Sequence, residues 1–81
     1  MVMPDDVKRY IEAGLACQHV EVSGDGHHFE AVIVSEAFRG RSRVQQHQLV
    51  YKALGERMRE EIHALSMQTF TPEDWANANA R

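Results

Sequence analysis

A glycine-rich turn at residues 24–26 constrains the fold more than any other feature of this sequence, because it separates two segments with strand patterns. Before the turn, Val20 and Val22 alternate with polar residues, as in a half-buried strand. After it, residues 29–35 are mostly apolar and β-branched, as in a well-covered strand. Glycine supplies the backbone freedom that a tight turn needs. Residues 18–36 are therefore predicted to form a β-hairpin.

Helices are predicted near both ends of the chain. Pro4 suits a first helical turn, acidic residues follow it at the positive end of the dipole, and residues 4–14 have helical apolar spacing. Thr71 and Pro72 give the same start signal for a last helix. Trp75 is expected to attach this last helix to the rest of the domain.

A long amphipathic helix is predicted after the hairpin. Ser42 and Gln45 have the spacing of a capping box, in which the two side chains satisfy backbone amides at the helix start. Gly55 is expected to bend or loosen this helix. One face is predicted to lie on the sheet and the other to face water. The buried stripe is predicted to contain Val44, His47, Val50, Tyr51, Leu54, Met58 and Ile62, and the exposed face Gln46, Lys52, Arg59 and Glu60.

A third strand is predicted over residues 63–71, which gives the element order α-β-β-α-β-α. A strand-helix-strand crossover within one sheet usually returns the later strand parallel to the earlier one. The prediction is thus a two-layer α+β fold, with a three-stranded mixed sheet covered by helices. A chain of this length has room for one core, so residues 1–81 are expected to form a single domain.

Composition excludes several classes of protein. The single Cys17 cannot form an internal disulfide, no segment has a secretion-signal pattern, and no apolar run approaches the roughly 20 residues of a membrane span. A cytoplasmic protein without membrane contact is expected. The net charge of −3 argues against a dedicated nucleic-acid binder, although a local basic patch is compatible with it. No activated nucleophile pair, complete metal set or phosphate-binding glycine loop is present, so an enzyme is not expected.

Histidines at the predicted strand starts are the main functional signal. His28 directly precedes the second strand and His63 opens the third, and parallel strands begin at the same end of a sheet. Both are therefore expected at one rim, with His27 one residue further into the turn. Imidazole is a common ligand for transition metals. Two nitrogens are an incomplete set for zinc or cluster iron, so a partner would have to supply the remaining ligands.

Three arginines, Arg39, Arg41 and Arg43, lie around the start of the long helix, where the helix dipole disfavours positive charge. A bound anion would relieve this conflict, through guanidinium groups and free backbone amides. The candidates are a DNA phosphate or a carboxylate on a partner, and the alternative is a solvated loop. Of the other histidines, His47 is predicted to be a core or boundary residue and His19 to be solvated.

The chain also resembles the BolA family, and within it the small IbaG-like branch. The resemblance spans nearly the whole domain and lies in a series of short motifs in order. These are Val20-Glu21-Val22, Gly24-Asp25-Gly26-His27-His28-Phe29, Val32-Ile33-Val34-Ser35 with Phe38 and Gly40, Val44 and His47 through Val50, Ile62-His63-Ala64-Leu65, and Thr69 with Thr71-Pro72-Glu73-Trp75.

The resemblance implies a type II KH-like fold without the Gly-x-x-Gly nucleic-acid loop. It also implies a heterodimer with a monothiol glutaredoxin that holds a bridged 2Fe–2S cluster, in iron–sulfur trafficking, iron homeostasis or stress response, with no cofactor needed for folding. His63 and a loop histidine, His28 or failing it His27, would be the ligands, beside a glutaredoxin cysteine and glutathione. A DNA-binding regulator that uses the loop Arg39–Arg43 is the alternative function, and a weak homodimer is an alternative assembly.

Overall fold

The computed structural model describes residues 1–80 and has helices and strands arranged around one sheet. No helix within this part of the chain is long and apolar enough to cross a membrane. The α+β class predicted from the sequence is confirmed. In order, the elements are α1 (Pro4–Gly14), β1 (His19–Gly24), β2 (His28–Val34), a 3-10 turn (Glu36–Phe38), α2 (Arg43–Leu54), α3 (Arg57–Glu60), β3 (Ala64–Phe70) and α4 (Pro72–Ala78).

The sheet has the order β1-β2-β3, with β2 in the centre. β1 and β2 form the predicted antiparallel hairpin, and β2 and β3 are parallel as the crossover rule requires. The parallel register pairs His28 with Ala64 at one end and Val34 with Phe70 at the other. The two parallel strands therefore start side by side at the end of the sheet where the hairpin turn lies.

One face of the sheet forms the core together with the helices, because alternate residues of a strand point to opposite faces. Apolar side chains on this face pack against α1, α2 and the chain around Ile62. The buried core consists of Val7, Ile11, Val20, Phe29, Ala31, Ile33, Phe38, Val50, Leu54 and Ile62.

The opposite face of the sheet is covered at one end by α4. The Trp75 ring stacks on His19 with 5.1 Å between ring centroids and lies 5.3 Å from the Phe70 ring. The predicted role of Trp75 in attaching the last helix is confirmed. The prediction that His19 is solvated is wrong, because α4 folds back across the sheet and half-buries this side chain.

The long helix predicted up to Ile62 is two helices in the structure. Gly55 ends α2 with φ of 58°, a left-handed conformation that favours glycine, and its N–H donates to the carbonyl of Tyr51 at 2.8 Å. The short helix α3 then starts at Arg57. Ile62 follows α3 and reaches the core, where only 3% of it is exposed.

The buried face of α2 also differs from the predicted stripe. Val44 and Tyr51 are 66% and 42% exposed, and Gln46, predicted to face water, lies between the preceding loop and β3. The Gln46 amide donates to the carbonyls of Phe38 and Arg41, and its oxygen accepts from the Thr69 hydroxyl at 2.6 Å. Backbone carbonyls in the loop need donors, and this requirement orients the first turns of α2.

Candidate metal-ligand site

The hairpin turn is held in shape by Asp25. One carboxylate oxygen, Oδ1, accepts hydrogen bonds from the backbone N–H groups of His28 and His27, each at 2.9 Å. These two bonds, that of His28 first, lower the pKa of the Asp25 carboxyl below its usual value. Gly26 has φ of 95° and is buried, with the Met1 side chain next to it. The turn therefore fixes the backbone from which His27 projects.

His27 and His63 are brought together by the register of the two parallel strands. Since His28 is paired with Ala64, the residues before them, His27 and His63, lie side by side and on the other face. Their rings are stacked, with centroids 5.7 Å apart and planes inclined by 30°. Both side chains are exposed. We call these two histidines, with Asp25 and Gly26, the histidine rim.

His28 points to the face of the sheet opposite to that of His63. Its Nε2 lies 3.3 Å from the Ser66 hydroxyl, on the side where His28, Ala64 and Ser66 are neighbours. The sequence correctly predicts that loop histidines gather beside His63, but its order of preference between them differs from the geometry. The structure places His27 next to His63, because alternation in the strands separates His28 from it.

A cleft of about 480 Å³ opens beside the histidine rim. Three of its lining side chains are acidic, and two of these have partners: Asp6 is paired with Arg9, and Glu61 with Arg57. Apart from the two histidines, nothing local in the sequence identified these lining residues, since segments distant in sequence contribute them together. The lining consists of Met1, Val2, Asp6, Tyr10, Gly26, His27, Glu60, Glu61 and His63.

Tyr10 links α1 to the segment that leads into His63. Its hydroxyl donates to Glu61 Oε1 at 3.2 Å, and the Arg57 guanidinium lies over its ring, 4.1 Å from the centroid. Arg57 and Glu61 are also paired, with Nε and Oε2 4.0 Å apart. This network from α1 to α3 fixes the position from which β3 begins.

The ligand set on this chain is incomplete. Within residues 1–80 no group of three or more His, Cys, Asp or Glu side chains has an arrangement that could hold a metal ion. Cys17 does not complete the set. Its half-buried Sγ contacts the carbonyl of Leu15 at 3.3 Å, and burial, with a smaller effect of the Glu12 charge, raises its pKa to about 11. Among the described residues, the histidine rim therefore offers two neighbouring imidazoles without a third donor of these types in a metal-binding arrangement.

The arginine loop, residues 39–43, divides its guanidinium groups among different neighbours. Arg39 is paired with Glu36 and Glu73, each at 2.7 Å, and Arg41 donates through Nε to the carbonyl of Ala37 at 3.0 Å. The hydrogen bond from Arg39 lowers the pKa of the Glu73 carboxyl. Only Arg43 has no hydrogen bond or ion pair with a described residue. The three guanidinium groups therefore have different surroundings.

Comparison with known proteins gives consistent matches over most of the chain. The family model described as BolA-like protein matches residues 10–74. The acid stress protein IbaG of Escherichia coli strain K12 is 41% identical over 73 residues, which cover 89% of this chain and 87% of that protein. The DNA-binding transcriptional regulator BolA of Haemophilus influenzae is 43% identical over 61 residues, 75% of this chain and 59% of that protein.

A solved structure gives the same relationship in three dimensions. A bolA protein homologue from Coxiella burnetii superposes with a TM-score of 0.87 and 47% sequence identity. The superposition covers 93% of this chain and 97% of that one. The element order and the mixed sheet described above are therefore shared with a protein of known structure.

Proposed function

This chain belongs to the BolA family, and from that premise we propose that it is a non-enzymatic partner of a monothiol glutaredoxin. In this proposal it supplies histidine ligands to a bridged 2Fe–2S cluster, in cytoplasmic iron–sulfur trafficking or iron homeostasis and the stress response. The observation that carries the proposal is the stacking of the His27 and His63 rings, which both line one open cleft.

His63 and His27 are the proposed ligands, and His28 is the alternative loop ligand. Asp25 positions His27 through the two backbone hydrogen bonds, and the network of Tyr10 and Glu61 positions the chain before His63. The glutaredoxin cysteine and glutathione would supply the thiolates that this chain lacks. Imidazole in place of thiolate makes such a cluster less negative and raises its reduction potential.

The test is reconstitution with a monothiol glutaredoxin, iron, sulfide and glutathione, followed by visible circular dichroism. The wild type should give a spectrum distinct from that of the glutaredoxin homodimer. His63→Ala should abolish this spectrum, because it removes the ligand that both alternatives share. His27→Ala should alter it, and His28→Ala is the matched control that should leave it unchanged.

Far-UV circular dichroism of each variant should show that the fold is retained, since all three side chains are exposed. A homodimer spectrum in every mixture would disprove the proposal. If His28→Ala loses the spectrum and His27→Ala keeps it, His28 is instead the loop ligand.

The second candidate function is DNA binding through the arginine loop. It is favoured by the similarity to the Haemophilus influenzae protein named as a DNA-binding transcriptional regulator, and weakened by the net charge of −3. Binding of duplex DNA should then fall steeply with salt and be lost in the double variant Arg41→Ala, Arg43→Ala. His63→Ala should have no effect on it. If DNA binding is insensitive to the arginine substitutions, the arginine loop is excluded as the DNA-binding surface.

A further inference from the structure

The outer edge of β3 is open, because β3 is a terminal strand of the sheet. The carbonyl of Phe70 accepts from the Ser35 N–H, so the backbone of Phe70 points towards β2. Alternate residues of a strand direct their N–H and C=O groups to opposite sides. The backbone groups of Met67 and Thr69 therefore point outwards, and no other described strand pairs with them.

The sequence of this edge strand lacks the charges and prolines that often protect an edge strand. Its sequence, Ala-Leu-Ser-Met-Gln-Thr-Phe over Ala64–Phe70, contains no lysine, no other charge and no proline. Its pairing with β2 runs without interruption over the whole strand, so no bulge twists it away. By contrast, the other terminal strand β1 carries Glu21 next to the half-buried His19. An unprotected strand edge is a template for another extended chain.

A cavity of about 270 Å³ lies between this edge and the start of α2. The α2 side contributes Arg43 and His47, one helical turn apart, and the β3 side contributes residues 67–70. The hydrogen bond between Gln46 and Thr69 holds the two walls together. The cavity is thus a preformed groove at the carboxyl end of β3, away from His63.

Two polar groups on the α2 wall lack partners. The His47 Nε2 atom is covered by protein and makes no hydrogen bond with any described residue. A covered polar atom of this kind is rare, because burial without a partner is costly. The Arg43 guanidinium likewise has no ion pair within residues 1–80. A carboxylate in the groove would accept charge-assisted hydrogen bonds from Arg43, beside the His47 ring that lines the same wall.

We propose that the outer edge of β3, with Arg43 and His47, binds an extended peptide segment that carries a carboxylate. The alternating outward N–H and C=O groups match another polypeptide strand. A nucleic acid backbone offers phosphate acceptors but no such alternation, and the described lining of the groove contains a single arginine, Arg43. A second copy pairing through its own β3 would bring no carboxylate, since that strand has no acidic residue. The proposal does not depend on the histidine rim or on cluster binding.

The experiment is an NMR titration of the full chain with short acetylated peptides. The probes are threonine–valine peptides, with one glutamate placed at each position in turn, and the matched peptides with glutamine. Glutamate peptides should shift the amide signals of Met67 and Thr69 and the ring signals of His47. Glutamine peptides should bind at least about fivefold more weakly, because the charge-assisted hydrogen bonds are lost.

Two variants test the two halves of the site. Arg43→Gln should weaken binding of the glutamate peptides to the level of the glutamine peptides. Arg59→Gln is its control, since Arg59 is exposed and pairs only with Glu56. Met67→Pro removes an outward N–H without touching a bond to β2, and should weaken binding of every peptide.

Four results would overturn the proposal. One is the absence of shifts at Met67 and Thr69 with any glutamate peptide at millimolar concentration. A second is equal binding by glutamate and glutamine peptides. A third is saturable binding of oligothymidylate at Arg43 and His47 without peptide binding, which would make the groove a nucleic-acid site. The fourth is a shift of the same signals when the protein alone is concentrated, together with a failure of the peptides to bind. This result would mean that the β3 edge pairs with a second copy of the chain.

Discussion

The histidine rim and the arginine loop lie at opposite ends of β2. They differ in whether their candidate functional side chains contact each other. At the histidine rim, His27 and His63 are distant in sequence and come into contact, because two parallel strands begin there. In the arginine loop, Arg39, Arg41 and Arg43 are close in sequence and have separate partners or none. Strand register, more than proximity in sequence, therefore decides which side chains can act together.

The largest expected effect comes from removing the buried side chain that precedes the arginine loop. Phe38 is fully buried and ends the 3-10 turn before the loop. Phe38→Ala should lower the free energy of unfolding by about 3–5 kcal/mol, as expected for a large aromatic side chain removed from a core. Urea denaturation measures this change.

The two regions should respond differently to this loss. If the arginine loop and the histidine rim are independent, nuclear Overhauser contacts between the His27 and His63 rings should persist in the variant. Phe38→Leu serves the same purpose if the alanine variant does not fold. A loss of less than about 1 kcal/mol would contradict the anchoring role of Phe38.

A smaller loss of stability is expected when one glycine in each region is replaced by alanine. Gly26 and Gly40 both have positive φ, of 95° and 76°. A Cβ at Gly26 would lie 3.1 Å from the Met1 sulfur, while one at Gly40 would meet nothing within 4 Å. Alanine at either position should therefore cost about 1 kcal/mol for its backbone conformation. Gly26→Ala should cost more, because Met1 must move.

Urea denaturation of the two alanine variants checks this difference, and NMR should show a changed contact between His27 and His63 in Gly26→Ala alone. If the two alanine variants lose the same free energy of unfolding, the Met1 side chain moves aside without a measurable cost. The rim would then be less tightly packed than the structure indicates.

The smallest effect concerns two exposed carboxylates with lowered pKa values. Asp25 in the rim is stabilised mainly by backbone N–H groups, and Glu73 mainly by the side chain of Arg39. In both cases the folded pKa lies below the unfolded value, so the contribution to stability is present above the unfolded pKa. It is lost as the pH falls through the folded pKa.

The pKa values of these two carboxylates should respond differently to salt. The ion pair of Glu73 is exposed and should be screened, so its pKa should rise towards the ordinary value in high salt. The pKa of Asp25 should change less, because its hydrogen-bond donors belong to the turn itself. Carboxyl-carbon NMR titrations at low and high ionic strength measure both values. An equal response to salt would remove this distinction between the regions.

Local sequence signals predicted most of the fold. The proline and the acids at the start of α1, the Ser42–Gln45 capping box and the glycine turn each act over a few residues. The crossover rule then gave the parallel pairing of β2 and β3. Burial on α2 was predicted less well, because Gln46 bonds to Phe38, Arg41 and Thr69, and apolar periodicity carries no information about such bonds.

The candidate site was predicted in outline only. The sequence placed loop histidines and His63 at one rim, but a difference of one residue in register decides whether His27 or His28 faces His63. Tyr10 and Glu61 were not predicted as part of the site, since their hydrogen bond joins α1 to α3. Contacts of this kind depend on how helices pack against each other.

The sequence by itself determined the order of elements, the hairpin turn and the direction of the crossover, because short-range backbone preferences and apolar spacing are local properties. Tertiary structure alone decided which histidine contacts His63, which arginine of the loop has no partner among residues 1–80, and that β3 is a terminal strand beside Arg43 and His47. These features depend on register and packing between distant segments. Such relations are fixed only when the whole core forms.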